Sequence, residues 1–186
     1  IYNCKNLKAN QDIARDYFCF ECFTGLRFSD IGRLRKENIK ADFIILKTQK
    51  TKDQLYIPLN VFAKEILRKY EVMNLPTPLP PTFANQKVNE YIKEVAELAE
   101  INDLTMVEKF SGSNRITITK PKYGFISTHT GRRTFITLSH EMGMQIEMIM
   151  KITGIKKWAT LKKYLKVSES SKLAKMNEFW NKDMFS

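Results

Sequence analysis

Three cysteines, two histidines and the lack of any long apolar run set the first limits on this 186-residue chain. Cys4, Cys19 and Cys22 are an odd number without the spacing of a disulfide framework, and the Cys19/Cys22 pair lacks the second pair that a zinc site needs. They read as reduced thiols in an apolar helix. No stretch approaches the length of a membrane-spanning helix and no charged-then-apolar leader opens the chain, so the expectation is a cytoplasmic protein with no membrane partner. A glycine-lysine loop for nucleotide phosphates is missing, as is a carboxylate cluster of the kind that holds two magnesium ions; P-loop ATP use and two-metal nuclease chemistry are excluded. No cofactor and no metal are expected. Acid is also scarce, with 20 Asp and Glu against 31 Lys and Arg and a formal charge of +11, a balance suited to a protein that meets a polyanion. Charge alone leaves a merely solubilising surface as an equal alternative.

What is present argues for one folded domain: 43% of residues are hydrophobic and 11% aromatic. Asn10-Gln11-Asp12 offers a cap for a core-facing helix carrying Ile13, Tyr17, Phe20 and Phe23, and Gly25 ends it. A helix restarts at Phe28-Ser29-Asp30-Ile31, which sets Arg27 at an exposed corner. Phe43 to Leu46 and Leu55 to Ile57 read as a hairpin with Lys50 near its tip, and Val61 to Tyr70 as a helix. The proline-rich run Leu75 to Pro81 is a connection within the domain. Asn85 to Ala99 is helical in period; Leu104 to Phe110 and Arg115 to Thr119 flank turn residues and predict a second hairpin, ringed by Lys109, Arg115, Lys120 and Lys122. From Thr130 the chain returns to helices, over Thr134 to Met142, Gln145 to Thr153, Thr160 to Val167 and Ser171 to Trp180. The fold class is mainly α with small antiparallel β-hairpins (α+β).

Certain residues stand apart from this scaffold. Thr24-Gly25-Leu26-Arg27 puts an arginine after a glycine turn, and His129-Thr130-Gly131-Arg132 puts a histidine and an arginine three apart, on one helical face. Lys50 lies eight residues before Pro58, and Tyr164 closes the basic segment Gly154-Ile155-Lys156-Lys157-Trp158-Ala159-Thr160-Leu161-Lys162-Lys163-Tyr164. In that order these motifs resemble the catalytic domain of the tyrosine recombinases, the phage-integrase family, from about Asp12 to about Lys175. The resemblance implies Tyr164 as the nucleophile that forms a 3′-phosphotyrosyl link to DNA, with no need for ATP. It implies Arg27 and Arg132 as guanidinium clamps on the phosphorane, Lys50 as the general acid for the 5′ oxygen, and His129 as an aid to proton movement. Asp30 matches the acid that orients the arginine and histidine. Lys47, Lys52, Arg133, Lys156 and Lys157 are candidate DNA contacts, and Lys47 and Lys52 also compete with Lys50 for the acid role.

One position departs from the family pattern. Ile155, nine residues before Tyr164, stands where a histidine or tryptophan is usual; a lost oxyanion donor costs about 2.7–4 kcal/mol in other enzymes. Lys156, Lys157 or Trp158 could substitute from another angle. The expectation is a site-specific recombinase or integrase of a mobile element, acting on double-stranded DNA as a homo-oligomer (tetramer). The alternative is a catalytically weakened DNA-binding or regulatory module. A type IB topoisomerase and a basic helical interaction domain are weaker alternatives. Residues 1–186 would form a single C-terminal catalytic domain, with the family's N-terminal DNA-clamping domain absent from this chain. The apolar tail face of Leu173, Met176, Phe179 and Trp180 is equally suited to covering its own domain or a neighbouring protomer.

Overall fold

The computed structural model describes residues 1–49, 52–112, 114–165, 172–173, 176–178 and 180. Helix α1 (Ala9–Thr24) is the axis on which the rest packs, bearing Ala14, Tyr17, Phe18, Cys19, Phe20 and Thr24 as buried residues. So many buried positions on one helix exceed a single apolar stripe, and such a helix must be covered on several sides. Cys4 lies ahead of α1 and only Cys19 and Cys22 belong to it; all three are free thiols. The helix starts earlier than its Asn10 or Asp12 cap predicts, because the Gln11 side chain turns back to accept from the Lys8 backbone N–H at 3.0 Å. Gly25 stops it in the left-handed conformation, φ +67°, its N–H donating to the Glu21 carbonyl at 2.8 Å.

The one-turn helix α2 (Phe28–Ile31) leads into the hairpin of β1 (Phe43–Lys47) and β2 (Gln54–Pro58), paired antiparallel from Phe43↔Pro58 to Lys47↔Gln54. Its inner face is Ile44, Leu46, Leu55 and Ile57, the alternation expected of a sheet with one buried side. Helix α3 (Val61–Glu71) is capped by Asn60, which accepts from the Ala63 N–H at 3.0 Å. The proline-rich connection is fastened to the core rather than marking a boundary: Leu79 is buried and the Tyr17 hydroxyl donates to the Pro80 carbonyl at 2.8 Å.

Helix α4 (Asn85–Leu98) precedes the second hairpin, β3 (Leu104–Ser111) with β4 (Asn114–Pro121), whose Leu104, Met106 and Ile116 are exposed. Helix α5 (Thr128–Glu141) begins well before Thr134. Ser127 occupies the cap position and its N–H donates to the Thr130 hydroxyl at 3.1 Å, while Asn89 of α4 accepts from the Thr128 N–H at 2.7 Å. α1 is flanked by α3, α4 and α5. The α1–α5 crossing is tight at Gly131, where a Cβ would lie 2.8 Å from Glu21 Cβ and 3.1 Å from the Phe18 carbonyl oxygen. Only glycine allows this approach. Helix α6 (Ile146–Thr153) ends at Gly154, φ +66°, and α7 (Trp158–Leu161) replaces the expected Thr160 to Val167 helix, Lys157 standing at its N-cap. Of the tail helix expected over Ser171 to Trp180, residues 172–173 and 176–178 are helical, while Ser171, residues 174–175 and Phe179, like Val167, lie outside the described residues; Leu173, Met176 and Trp180 are exposed.

Candidate active site

Arg27 stands at the N-cap of α2, two residues beyond the Gly25 turn. It is half-buried rather than an exposed corner residue, because buried Asp30 sits one turn on with its Oδ2 3.6 Å from Arg27 Nη1. That Nη1 is itself buried and, beyond its ion pair with Asp30, has no hydrogen-bond acceptor among the described residues, so it keeps donor capacity for an incoming oxygen. The other Asp30 oxygen, Oδ1, accepts from the Gln49 backbone N–H at 3.0 Å. A single carboxylate thus joins Arg27 to the edge of the β1–β2 loop.

The first two turns of α5 carry His129, Arg132 and Arg133. Arg132 is buried; Nη1 donates to the Gly25 carbonyl at 2.6 Å and Nη2 to the Thr153 carbonyl at 2.7 Å. Gly25 terminates α1 and Thr153 is the last residue of α6, so two helix C-termini, each the negative end of its dipole, converge on one guanidinium. Burial and then the nearby Arg27 charge draw the Arg132 pKa down to about 10, which leaves it cationic at neutral pH.

Tyr164 follows α7 and is half-buried. Its backbone is held at both ends: its N–H donates to the Leu161 carbonyl at 2.8 Å, and its carbonyl accepts from the Thr137 hydroxyl at 3.1 Å. The Tyr164 hydroxyl lies 3.3 Å from His129 Nε2. Partial burial of the imidazole, then Arg133 and Arg132, lowers the His129 pKa below its ordinary value, so the ring is neutral in neutral water. With its proton on Nδ1, Nε2 can accept the phenolic proton.

Arg27, Asp30, His129, Arg132 and Tyr164 are therefore neighbours, and Lys50 lies outside the described residues. Lys47, Lys52, Arg133 and Lys157 are solvent-exposed, as phosphate contacts must be. Lys156 is exposed too, but its ammonium pairs with Asp53 Oδ1 at 2.9 Å. Ile155 is a core residue, 7% exposed, which with Leu55 and Met150 lines a shallow hollow between β2 and α6. Among the described residues no three His, Cys, Asp or Glu side chains converge as a metal site would need.

Two participants escaped sequence reasoning. Thr137 reads as an ordinary helix residue, and nothing in its spacing marks it as the anchor of the Tyr164 backbone. Glu21 is 1% exposed, its Oε2 has no hydrogen-bond partner among the described residues, and burial, only partly offset by Arg132, holds its carboxyl well above the usual carboxylate range. An acid inside the run Phe20-Glu21-Cys22-Phe23, one turn before Gly25, was its available signal.

Residues 2–171 match the phage integrase family. No curated protein matches the sequence. Among solved structures, XerA recombinase is similar with a TM-score of 0.65 at 15% identity, over 93% of this chain and 64% of its own. XerH site-specific recombinase bound to palindromic difH substrate, in a post-cleavage complex, is similar with a TM-score of 0.67 at 12% identity, over 96% of this chain and 49% of its own. A lambda integrase(75-356) dimer bound to a COC′ core site gives 0.64 at 18% identity, over 89% and 55%. These likenesses establish a shared fold, and the chain spans about half to two-thirds of the length of those proteins.

Proposed function

The chain belongs to the phage integrase family, and from that membership and the geometry of its site we propose that it is a tyrosine recombinase domain that cleaves and rejoins double-stranded DNA. The observation that carries this reading is the Tyr164 hydroxyl 3.3 Å from His129 Nε2, beside two arginines of which one keeps a buried N–H without a hydrogen-bond acceptor among the described residues. In the proposed reaction Tyr164 Oη attacks phosphorus and yields its proton toward His129 Nε2. The P–O5′ bond breaks, and Lys50 protonates the departing 5′ oxygen. Arg27 and Arg132 stabilise the charge on the nonbridging oxygens. The 3′-phosphotyrosyl ester conserves the bond energy, so reversal by a 5′ hydroxyl rejoins a strand without ATP.

A mobile-element origin, a tetramer on DNA and a separate N-terminal clamping domain belong to the same proposal. The exposure of Leu173 and Met176 is compatible with the oligomer. The test is a pool of nicked suicide duplexes, in which cleavage releases a short fragment and blocks religation. A covalent protein–DNA adduct that forms with the parent chain and is lost in Tyr164→Phe is expected; an adduct that persists in Tyr164→Phe sinks the assignment. The second reading, a weakened DNA-binding module, draws on Ile155, which brings no hydrogen-bond donor to the site. It requires DNA retention without an adduct in the parent chain and an adduct in Ile155→His.

A further inference from the structure

Lys156 is a DNA contact in the sequence reading, yet its ammonium is already engaged by Asp53, 103 residues away, at 2.9 Å. Asp53 sits on the returning limb of the β1–β2 loop, just before Gln54 opens β2. On the outgoing limb, the Gln49 N–H donates to Asp30 at 3.0 Å, and the Thr48 N–H donates to the Asp53 carbonyl at 2.9 Å across the neck. Below the neck, Leu55 packs on the α6 terminus so closely that a Cβ on Gly154 would lie 3.1 Å from Leu55 Cδ2. The two described limbs of the β1–β2 loop are therefore held, Gln49 by the acid that pairs with Arg27 and Asp53 by the residue next to Ile155.

We propose that Asp53 and Lys156 are a positioning pair, which ties the returning limb of the β1–β2 loop, three residues after Lys50, to the segment leading to Tyr164 and so limits the reach of that lysine. The proposal rests on the reading of Lys50 as the general acid. It also accounts for Lys156: this lysine orients a loop of its own chain and does not neutralise a DNA phosphate. Lys156 is 67% exposed and Asp53 32% at their side chains. An ion pair this open contributes little to folding, and its loss is to be read in the loop and in the chemistry, not in the melting temperature.

Two measurements test this on Asp53→Asn, Lys156→Met and the swapped Asp53→Lys/Lys156→Asp. In the free protein, amide hydrogen exchange over residues 48–54 should quicken about two- to fivefold in each single variant, the range set by an exposed pair, and slow again in the swap. Unchanged exchange in both single variants overturns the proposal. On the suicide duplexes, both single variants should form adduct more slowly by the same factor on an ordinary phosphodiester. They should match the parent when the scissile 5′ oxygen is replaced by sulfur, because a thiolate leaves without a proton and no longer needs the acid. Equal slowing on oxygen and sulfur substrates overturns the positioning role. So does the opposite pattern of a phosphate contact, in which Asp53→Asn tightens DNA binding while Lys156→Met weakens it and lowers the salt slope by about one. Failure of the parent chain to form any adduct counts against the recombinase reading itself, and the exchange result still decides the coupling.

Discussion

Replacing Arg132 by methionine should cost far more stability than replacing its exposed neighbour Arg133, although both are arginines of the same helix turn. Arg132 donates to the Gly25 and Thr153 carbonyls, both on buried residues. Methionine fills most of the volume but leaves both oxygens without a donor, at about 1–3 kcal/mol each, or about 2–6 kcal/mol together. Part of this is returned, since the charge that burial and Arg27 disfavour is also gone. A net loss of about 2–4 kcal/mol is expected, which a domain with about 5–15 kcal/mol of stability survives. Urea unfolding followed by far-UV circular dichroism measures it, with Arg133→Met staying within about 0.5 kcal/mol of the parent. Arg132→Lys should fall between, because one ammonium cannot span both carbonyls in the planar fork of a guanidinium. Were Arg132→Met to unfold at the parent's urea midpoint, the claim that this side chain bolts two helix ends together would be wrong. Its clamp role would then have to be argued from the DNA side alone.

Gly131→Ala places a methyl 2.8 Å from Glu21 Cβ and 3.1 Å from a backbone oxygen, and should lower unfolding free energy by about 1–3 kcal/mol in the same titration. The depressed His129 pKa means that the unfolded chain takes up a proton the folded ring resists. Folding should therefore weaken as pH falls below about 6.5 and level off below the folded value, and His129→Gln should flatten that limb of a melting-temperature profile. Glu21 has the opposite sign: its raised pKa gives stability that is present below about 4.3 and lost as pH rises through the folded value. Glu21→Gln should remove that loss and melt higher than the parent at neutral pH. Ile155→His should not speed adduct formation, because position 155 faces the hollow lined by Leu55 and Met150. Burying an imidazole there should cost about 1–3 kcal/mol, seen as a lower urea midpoint.

The parts of the site that could be read from the chain are those whose chemistry is carried by residue type within a short motif. Arg27 after its glycine turn, the His129/Arg132 pair and Tyr164 meet in space as their order implies; the first hairpin follows from its short β-type runs, the second from the turn residues between its strands, and the core face of α1 from helical period. Helix ends were less legible. The true start of α5 depends on Asn89, a residue of another helix, and on a Ser127/Thr130 cap with no glutamate to advertise it. Least legible were the contacts that belong to no motif. That Lys156 meets Asp53, that Thr137 holds Tyr164, and that Glu21 lies buried under Arg132's helix are consequences of how α1, α5 and the β1–β2 hairpin pack. The glycines link the two levels. Gly131 lets α5 press onto α1, Gly25 turns the α1 carbonyl end toward Arg132, and Gly154 does the same for α6 while admitting Leu55. In the His129-Thr130-Gly131-Arg132 motif, then, the glycine is as much a part of the site as the histidine and arginine: any side chain at 131 would separate the helices whose ends hold Arg132 in place.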